Sequence, residues 1–156
     1  IQTVEEQQNT IKIVKGDEAA IYFKNHALTD YQGKYPLNDR MIAGACRLAR
    51  DTEAKAILCV TNSGYTALRI SAHRPKASLY VFTDNPRTLT NIGLLWGARG
   101  FSYDQKTFDT EATVKTMLDR LVKEGLLTRG DVYVSVLAMP YGQGNKTNTV
   151  RIGRVE

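Results

Sequence analysis

Thr61-Asn62-Ser63-Gly64-Tyr65-Thr66 sets three hydroxyl side chains around a glycine, directly after the apolar run Ala56-Ile57-Leu58-Cys59-Val60. That composition at the start of a helix suits a phosphate group. Hydroxyls rotate to meet phosphate oxygens, the first amides of a helix lack intrahelical partners, and glycine lets the backbone come close. The hydroxyls of Thr61, Ser63 and Thr66 are the expected donors. A second stretch, Ala138-Met139-Pro140-Tyr141-Gly142-Gln143-Gly144-Asn145-Lys146, follows another apolar run and offers one cation, Lys146, behind two glycines. On composition alone two readings stay open: a pair of phosphate-holding loops, or a capped helix start and a surface hairpin.

No other group of side chains promises to make or break bonds. His26 and His73 stand apart from cysteines or carboxylates at ligand spacing, so neither indicates a metal site. Ser63 lacks the G-x-S-x-G frame of a nucleophile elbow and has no evident His–Asp pair to activate it. Neither dinucleotide-binding nor P-loop glycine patterns occur. Cys46 and Cys59 show no metal spacing and read as reduced core thiols. Trp96 and the tyrosines read as packing residues. What remains is a binding or assembly domain without a complete catalytic set.

The elements that must position these loops follow from periodicity. Asp17 to Lys24 reads as helical after a break at Gly16, and Thr29 to Pro36 as a loop. Asn38 is expected to cap a helix running to about Thr52, with Met41, Ile42, Ala45, Leu48 and Ala49 on one face. Ala56–Val60, Ser78–Phe82 and Val132–Leu137 are continuous apolar runs, the mark of strands covered on both faces. Helices are expected from Ser63 to His73, from Asn85-Pro86 onward, and from Thr110 to Glu124, the last ended by Gly125. Gly97 and Gly100 are expected to bracket a turn into a short strand around Phe101-Ser102-Tyr103. Thr147 to Val155 alternates in polarity and reads as a half-exposed edge strand. Strand–helix repetition of this kind makes an α/β sheet with helices on both faces, its first three strands parallel.

Composition narrows the class. A chain of 156 residues with 42% hydrophobic and 24% charged residues suits one globular domain and excludes disorder. No apolar run approaches the roughly 18 residues that span a bilayer. The net charge of +5 is spread along the chain, which speaks against a nucleic-acid surface. The chain begins with Ile1 and shows no signal peptide, and it reads as a piece cut from a longer protein.

Glu53-Ala54-Lys55-Ala56-Ile57 through Thr61-Asn62-Ser63-Gly64-Tyr65-Thr66-Ala67 resembles the C-terminal domain of pyruvate kinases. That family runs from an acidic-Ala-Lys-Ala-Ile strand into a Thr-x-Ser-Gly-x-Thr-Ala loop. The similarity continues through His73-Arg74-Pro75, Phe82-Thr83-Asp84-Asn85-Pro86-Arg87-Thr88, Gly125-Leu126, Gly130-Asp131-Val132 and Thr147-Asn148-Thr149. Upstream, Asp17-Glu18-Ala19-Ala20-Ile21-Tyr22 is similar to the stretch that leads into this domain in many members.

The resemblance implies a three-layer α/β sandwich with a five-stranded mixed sheet, four strands parallel and the last antiparallel. Strands one and four are then neighbours. It implies that residues 1–30 are a helical segment leading in from a catalytic barrel, and that residues 31–156 are the α/β domain. Thr61, Asn62, Ser63, Gly64, Tyr65 and Thr66 match the loop that holds an effector phosphate in the family. Met139, Pro140, Tyr141, Gly142, Gln143, Gly144 and Asn145 match the loop over that effector, without the Trp-Arg-Pro-Gly-Ser-Gly wording of animal members. Lys146 is the candidate for a second phosphate. The implied effector is a sugar phosphate such as fructose 1,6-bisphosphate. The full enzyme would move a phosphoryl group from phosphoenolpyruvate to ADP, as a cytoplasmic homotetramer using Mg²⁺ and K⁺ in its barrel. This domain itself would need no cofactor and be inactive alone. The alternative is a stand-alone sugar-phosphate sensor, with no nucleic-acid or membrane partner in either case.

Overall fold

A computed structural model describes residues 35–104, 109–138 and 147–156. The expected segment at 17–24, and the whole proposed lead-in at 1–30, lie outside them. The first helix, α1, spans Pro36–Asp51, two residues ahead of the expected cap. Pro36 opens it because the first turn needs no N–H and proline already holds a helical φ. Asn38 therefore falls inside the helix, and its side-chain amide is spent on the backbone oxygen of Thr147. Ile42, Ala45, Cys46 and Ala49 are buried along one face, flanked by Met41 and Leu48.

Strand β1 (Ala56–Val60) is buried throughout. Helix α2 (Tyr65–Ala72) starts after Gly64, whose φ of 80° is a left-handed conformation natural to glycine. Strand β2 (Ser78–Thr83) leads to α3 (Pro86–Ile92), where the Asn85 side chain accepts from the amides of Arg87 and Thr88. Strand β3 spans Ala98–Ser102, earlier than expected, so Gly100 lies in the strand rather than at a turn. The reason is close packing: a Cβ at Gly100 would sit 2.8 Å from Leu89 Cδ1 of α3. Helix α4 (Thr110–Lys123) is capped by Asp109, which accepts from the Glu111 amide. It ends before Gly125, whose φ of 70° suits the residue after a helix. Strands β4 (Val132–Leu137) and β5 (Thr149–Arg154) complete the sheet.

Strand order is β3-β2-β1-β4-β5. The first four strands are parallel, and β5 pairs antiparallel with β4, Val132 opposite Arg154. The five-stranded mixed α/β sheet and the adjacency of strands one and four are thus as the resemblance implies. The chain moves outward from β1 through β2 to β3, then returns to β4 on the other side of β1. The order reverses between β1 and β4, where ligands of open α/β sheets settle.

Two cores sandwich the sheet. Ile57 and Cys59 of β1 pack with Leu79, Val81, Val134 and Val136 under α1, α2 and α3. Leu58 points the other way, with Phe82, Phe101 and Tyr133 beneath Val114, Met117 and Leu121 of α4. Phe82 and Phe101 stack with ring centres 5.0 Å apart. Cys46 and Cys59 are buried free thiols in the first core, and burial pushes both up to about 12. They are packing residues. Among the described residues no helix is long and apolar enough to cross a membrane.

Candidate functional site

Parallel pairing of β1 with β4 sets Cys59 opposite Val136. The loop after Val60 and the loop after Leu137 therefore leave the sheet side by side, at its carboxyl edge. The first candidate loop is described in full. Of the second, Met139 to Asn145 and Lys146 lie outside the described residues, and the chain resumes at Thr147.

The first loop is braced by its own side chains. Thr61 Oγ1 accepts from the Gly64 amide at 3.0 Å, and Ser63 Oγ from the Tyr65 amide at 3.4 Å. Thr88 Oγ1 donates to the Asn62 backbone oxygen at 2.6 Å, tying the loop to the first turn of α3. The Asn62 amide donates to Asp84 Oδ1 at 3.2 Å. A side chain at Gly64 would meet Thr88 Cγ2 at 3.3 Å, besides forcing an unfavourable φ. Within α2 the first backbone bond runs from the Leu68 amide to the Gly64 oxygen, at 2.9 Å. The amides of the first turn point outward from there.

The six loop residues divide by exposure. Asn62 and Ser63 are exposed and Gly64 and Tyr65 are half-buried, whereas Thr61 and Thr66 are buried. Thr66 Oγ1 lies 2.6 Å from Thr147 Oγ1. The Tyr65 hydroxyl donates to Asp39, with both carboxylate oxygens within 3.0 Å. Arg69 Nε is 3.4 Å from the same carboxylate, whose side chain is 1% exposed. Burial, and then the hydrogen bond to the Asp39 carboxylate, push the Tyr65 phenol up to about 12. Tyr35 meets the Tyr65 ring edge-on at 5.1 Å. Beside the loop, a hollow of about 420 Å³ is lined by Ser63, Gly64, Tyr65, Leu68, Thr88 and Ile92, among others.

Several of these residues escaped sequence reasoning. Asp39, Thr88 and Thr147 reach the loop from α1, α3 and the lead into β5, and Asn38, read from the sequence only as a helix cap, holds Thr147. Only Thr88 and Thr147 carried a signal, as parts of the Asp84–Thr88 and Thr147-Asn148-Thr149 motifs. Asp39 looks like an ordinary acidic residue of a first helical turn.

What the arrangement can do is bind. Asn62 and the Ser63 hydroxyl are its exposed polar groups, and the Arg69 guanidinium is engaged by Asp39. His73 is buried at the far end of α2 and offers no base to Ser63. Among the described residues no group of three or more His, Cys, Asp or Glu side chains is placed to hold a metal. A larger hollow, about 790 Å³, lies between α4 and β5, lined among others by Lys115, Tyr133, Arg151 and Gly153. Its charges are mixed, and the Glu111–Arg151 ion pair closes one side.

Comparison with known proteins gives a consistent set of relatives. The family model described as "Pyruvate kinase, alpha/beta domain" matches residues 39–153. A pyruvate kinase of Clostridium acetobutylicum is 29% identical over 119 residues, covering 76% of this chain and 25% of that protein. One of Sporosarcina psychrophila is 26% identical over 153 residues, covering 97% of this chain and 26% of its own length. The solved structure of Cryptosporidium parvum pyruvate kinase in complex with ADP superposes with a TM-score of 0.76 at 21% identity. It covers 90% of this chain and 27% of that one, a likeness of fold. The chain spans about a quarter of the length of these relatives.

Proposed function

The chain belongs to the pyruvate kinase alpha/beta domain family, and on that premise we propose that it is the regulatory and assembly domain of a pyruvate kinase. The whole enzyme transfers a phosphoryl group from phosphoenolpyruvate to ADP in the cytoplasm. Its chemistry resides in a (β/α)₈ barrel that partners this domain and supplies the Mg²⁺ and K⁺ sites. Phosphoryl transfer needs metal and cationic groups around the migrating phosphoryl, and the described residues offer no such constellation. The domain is inert by itself. A coupled assay of the pure chain with phosphoenolpyruvate, ADP, Mg²⁺ and K⁺ should show no turnover above buffer, and turnover surviving repurification would overturn this reading.

The carboxyl edge between β1 and β4 is the effector crevice. The observation that carries this reading is the strand order, which sets the Thr61–Thr66 loop beside the carboxyl end of β4 at Leu137. A phosphate or sugar phosphate sits on the first turn of α2, held by backbone amides, by Asn62 and Ser63 and by the Thr66 hydroxyl, with Thr61, Gly64 and Tyr65 shaping the loop. Lys146 is the candidate for a second phosphate and Met139 to Asn145 for the segment over the ligand, and all of them lie outside the described residues. A helix end contributes only about 0.3–1 kcal/mol when exposed, so several donors must act together. Calorimetry with inorganic phosphate, fructose 1,6-bisphosphate and ribose 5-phosphate tests site and ligand class. Absence of heat with all three would leave the loop as a helix cap.

Subunit contact is assigned to the β5 edge. Among the described residues no further strand pairs with it, and Ile152 is 43% exposed on it. In the tetramer this edge meets a second copy across a two-fold axis. Sedimentation should show a concentration-dependent dimer that Ile152→Lys weakens; a strict monomer at high concentration counts against the contact.

A further inference from the structure

We propose that Thr147 is a positioning residue for the loop after β1, acting through Thr66. The two hydroxyls are 2.6 Å apart across 81 residues of sequence, with Thr66 4% and Thr147 9% exposed. Thr147 is held from two sides. Its backbone oxygen accepts from the Asn38 side chain of α1. The amide of the next residue, Asn148, donates to the Leu137 oxygen at the end of β4, at 3.0 Å. The position of Thr147 is therefore set by the sheet and by α1, not by the loop it supports. Thr66, in turn, is the second residue of α2.

In a hydroxyl pair one oxygen donates while the other accepts. When Thr147 donates, the Thr66 hydrogen is free to turn toward an anion at the helix start. When Thr66 donates, its hydrogen is spent inward. An anion selects the first arrangement, and the two bonds then reinforce each other along one chain. Without an anion the same pair pins the first turn of α2 to the base of the neighbouring loop. Thr66 thus works as a link between the sheet and the site, and Thr147 sets where that link lies. The anion half of this inference rests on the phosphate reading above; the pinning half does not.

The test uses the whole 156-residue chain and the variants Thr147→Val and Thr147→Ser. Valine keeps the shape and removes the hydroxyl, stranding the buried Thr66 oxygen. Without ligand, amide exchange at Gly64, Tyr65 and Leu68, whose amides are bonded across this turn, should quicken about five- to twentyfold in Thr147→Val, the scale of one lost hydrogen bond. Amides of β1 and β2 should keep their rates, and Thr147→Ser should restore the loop. With inorganic phosphate or fructose 1,6-bisphosphate as probe, affinity should fall in Thr147→Val by a similar factor and recover in Thr147→Ser. Local exchange that responds while no variant binds either probe upholds the pinning and removes the phosphate reading. Exchange at the Gly64, Tyr65 and Leu68 amides that stays unchanged, that rises equally throughout the sheet, or that serine fails to restore overturns the proposal. Should Thr147→Val not fold, Asn38→Ala releases the Thr147 backbone instead. It should give the same local pattern, and a global response there is equally fatal.

Discussion

Among the described residues three helices cover one face of the sheet and a single helix covers the other, and the two faces are filled by different means. Under α1, α2 and α3 the contacts are made by small side chains, Ala45, Cys46, Ala49 and Ala67, in company with Ile42, Ile70 and Ile92. Small residues let several helices lie close to the strands. Under α4 the space is taken by Tyr80, Phe82, Phe101 and Tyr133, met by Met117 and Leu121. One helix cannot span five strands, so large rings widen its reach. The three-helix face also carries the Asp39–Tyr65–Arg69 cluster, built on the buried Asp39 carboxylate, and the Thr66–Thr147 pair, both at the carboxyl edge. Bulk holds one side together, and directional polar bonds shape the other where a ligand would arrive.

Removing bulk from the single-helix face should have the largest effect. Met117 is fully buried at the centre of its contact. Met117→Ala is expected to cost about 2–5 kcal/mol of unfolding free energy in a urea titration. Cys46→Ala, on the opposite face, should cost about 1 kcal/mol, since it deletes a single heavy atom. Equal losses would break the comparison.

Next comes the polar cluster. Asp39→Ala strands the Tyr65 hydroxyl and removes the carboxylate beside Arg69, at a cost of about 2–3 kcal/mol. Tyr65→Phe should cost less, because Asp39 retains Arg69. If Tyr65→Phe proves the more damaging, the ion pair is not what anchors α2 to α1.

Alkaline pH probes the same face without mutation. Cys46 and Cys59 ordinarily ionise near 9.0 and Tyr65 near 10.0, whereas in the folded chain all three stay protonated to about 12. Raised values mean that folding favours the protonated groups. Their contribution is fully present below pH 9 and is lost as pH climbs from there toward 12. Thiol-reagent titration of the folded chain at pH 8 should label neither cysteine, and the fall in stability should begin near pH 9. Replacing both cysteines by alanine should delay its onset to about pH 10, where tyrosines begin to ionise.

The smallest effect on stability, and the sharpest on binding, belongs to Ser63→Glu. Ser63 is exposed, so stability should stay within about 0.5 kcal/mol of the parent. A carboxylate at the helix start should nevertheless repel phosphate and abolish the calorimetric signal. Thr66→Glu would be a poorer probe, because Thr66 is buried against Thr147 and a charge there would disturb the fold itself.

Local order was legible in the sequence because it depends on neighbours in the chain. The apolar runs at Ala56, Ser78 and Val132 are strands, and of the apolar stripe Val114, Met117, Leu118, Leu121 and Val122 on the Thr110 helix all but Val122, 42% exposed, face the core. Family motifs added the strand order, which no local pattern encodes. Glycine and proline were read less well, because the same residue serves several ends. Gly100 marks close approach of α3 to β3 rather than a turn, and Pro36 begins a helix that was expected to start at Asn38. The bonds that shape the candidate site were invisible. Asn38 and Thr147 are separated by 109 residues, Thr66 and Thr147 by 81, and Tyr65 and Asp39 by 26. Each is a polar pair that only a finished sheet brings within reach, since burial between packed helices is what makes such a partner necessary.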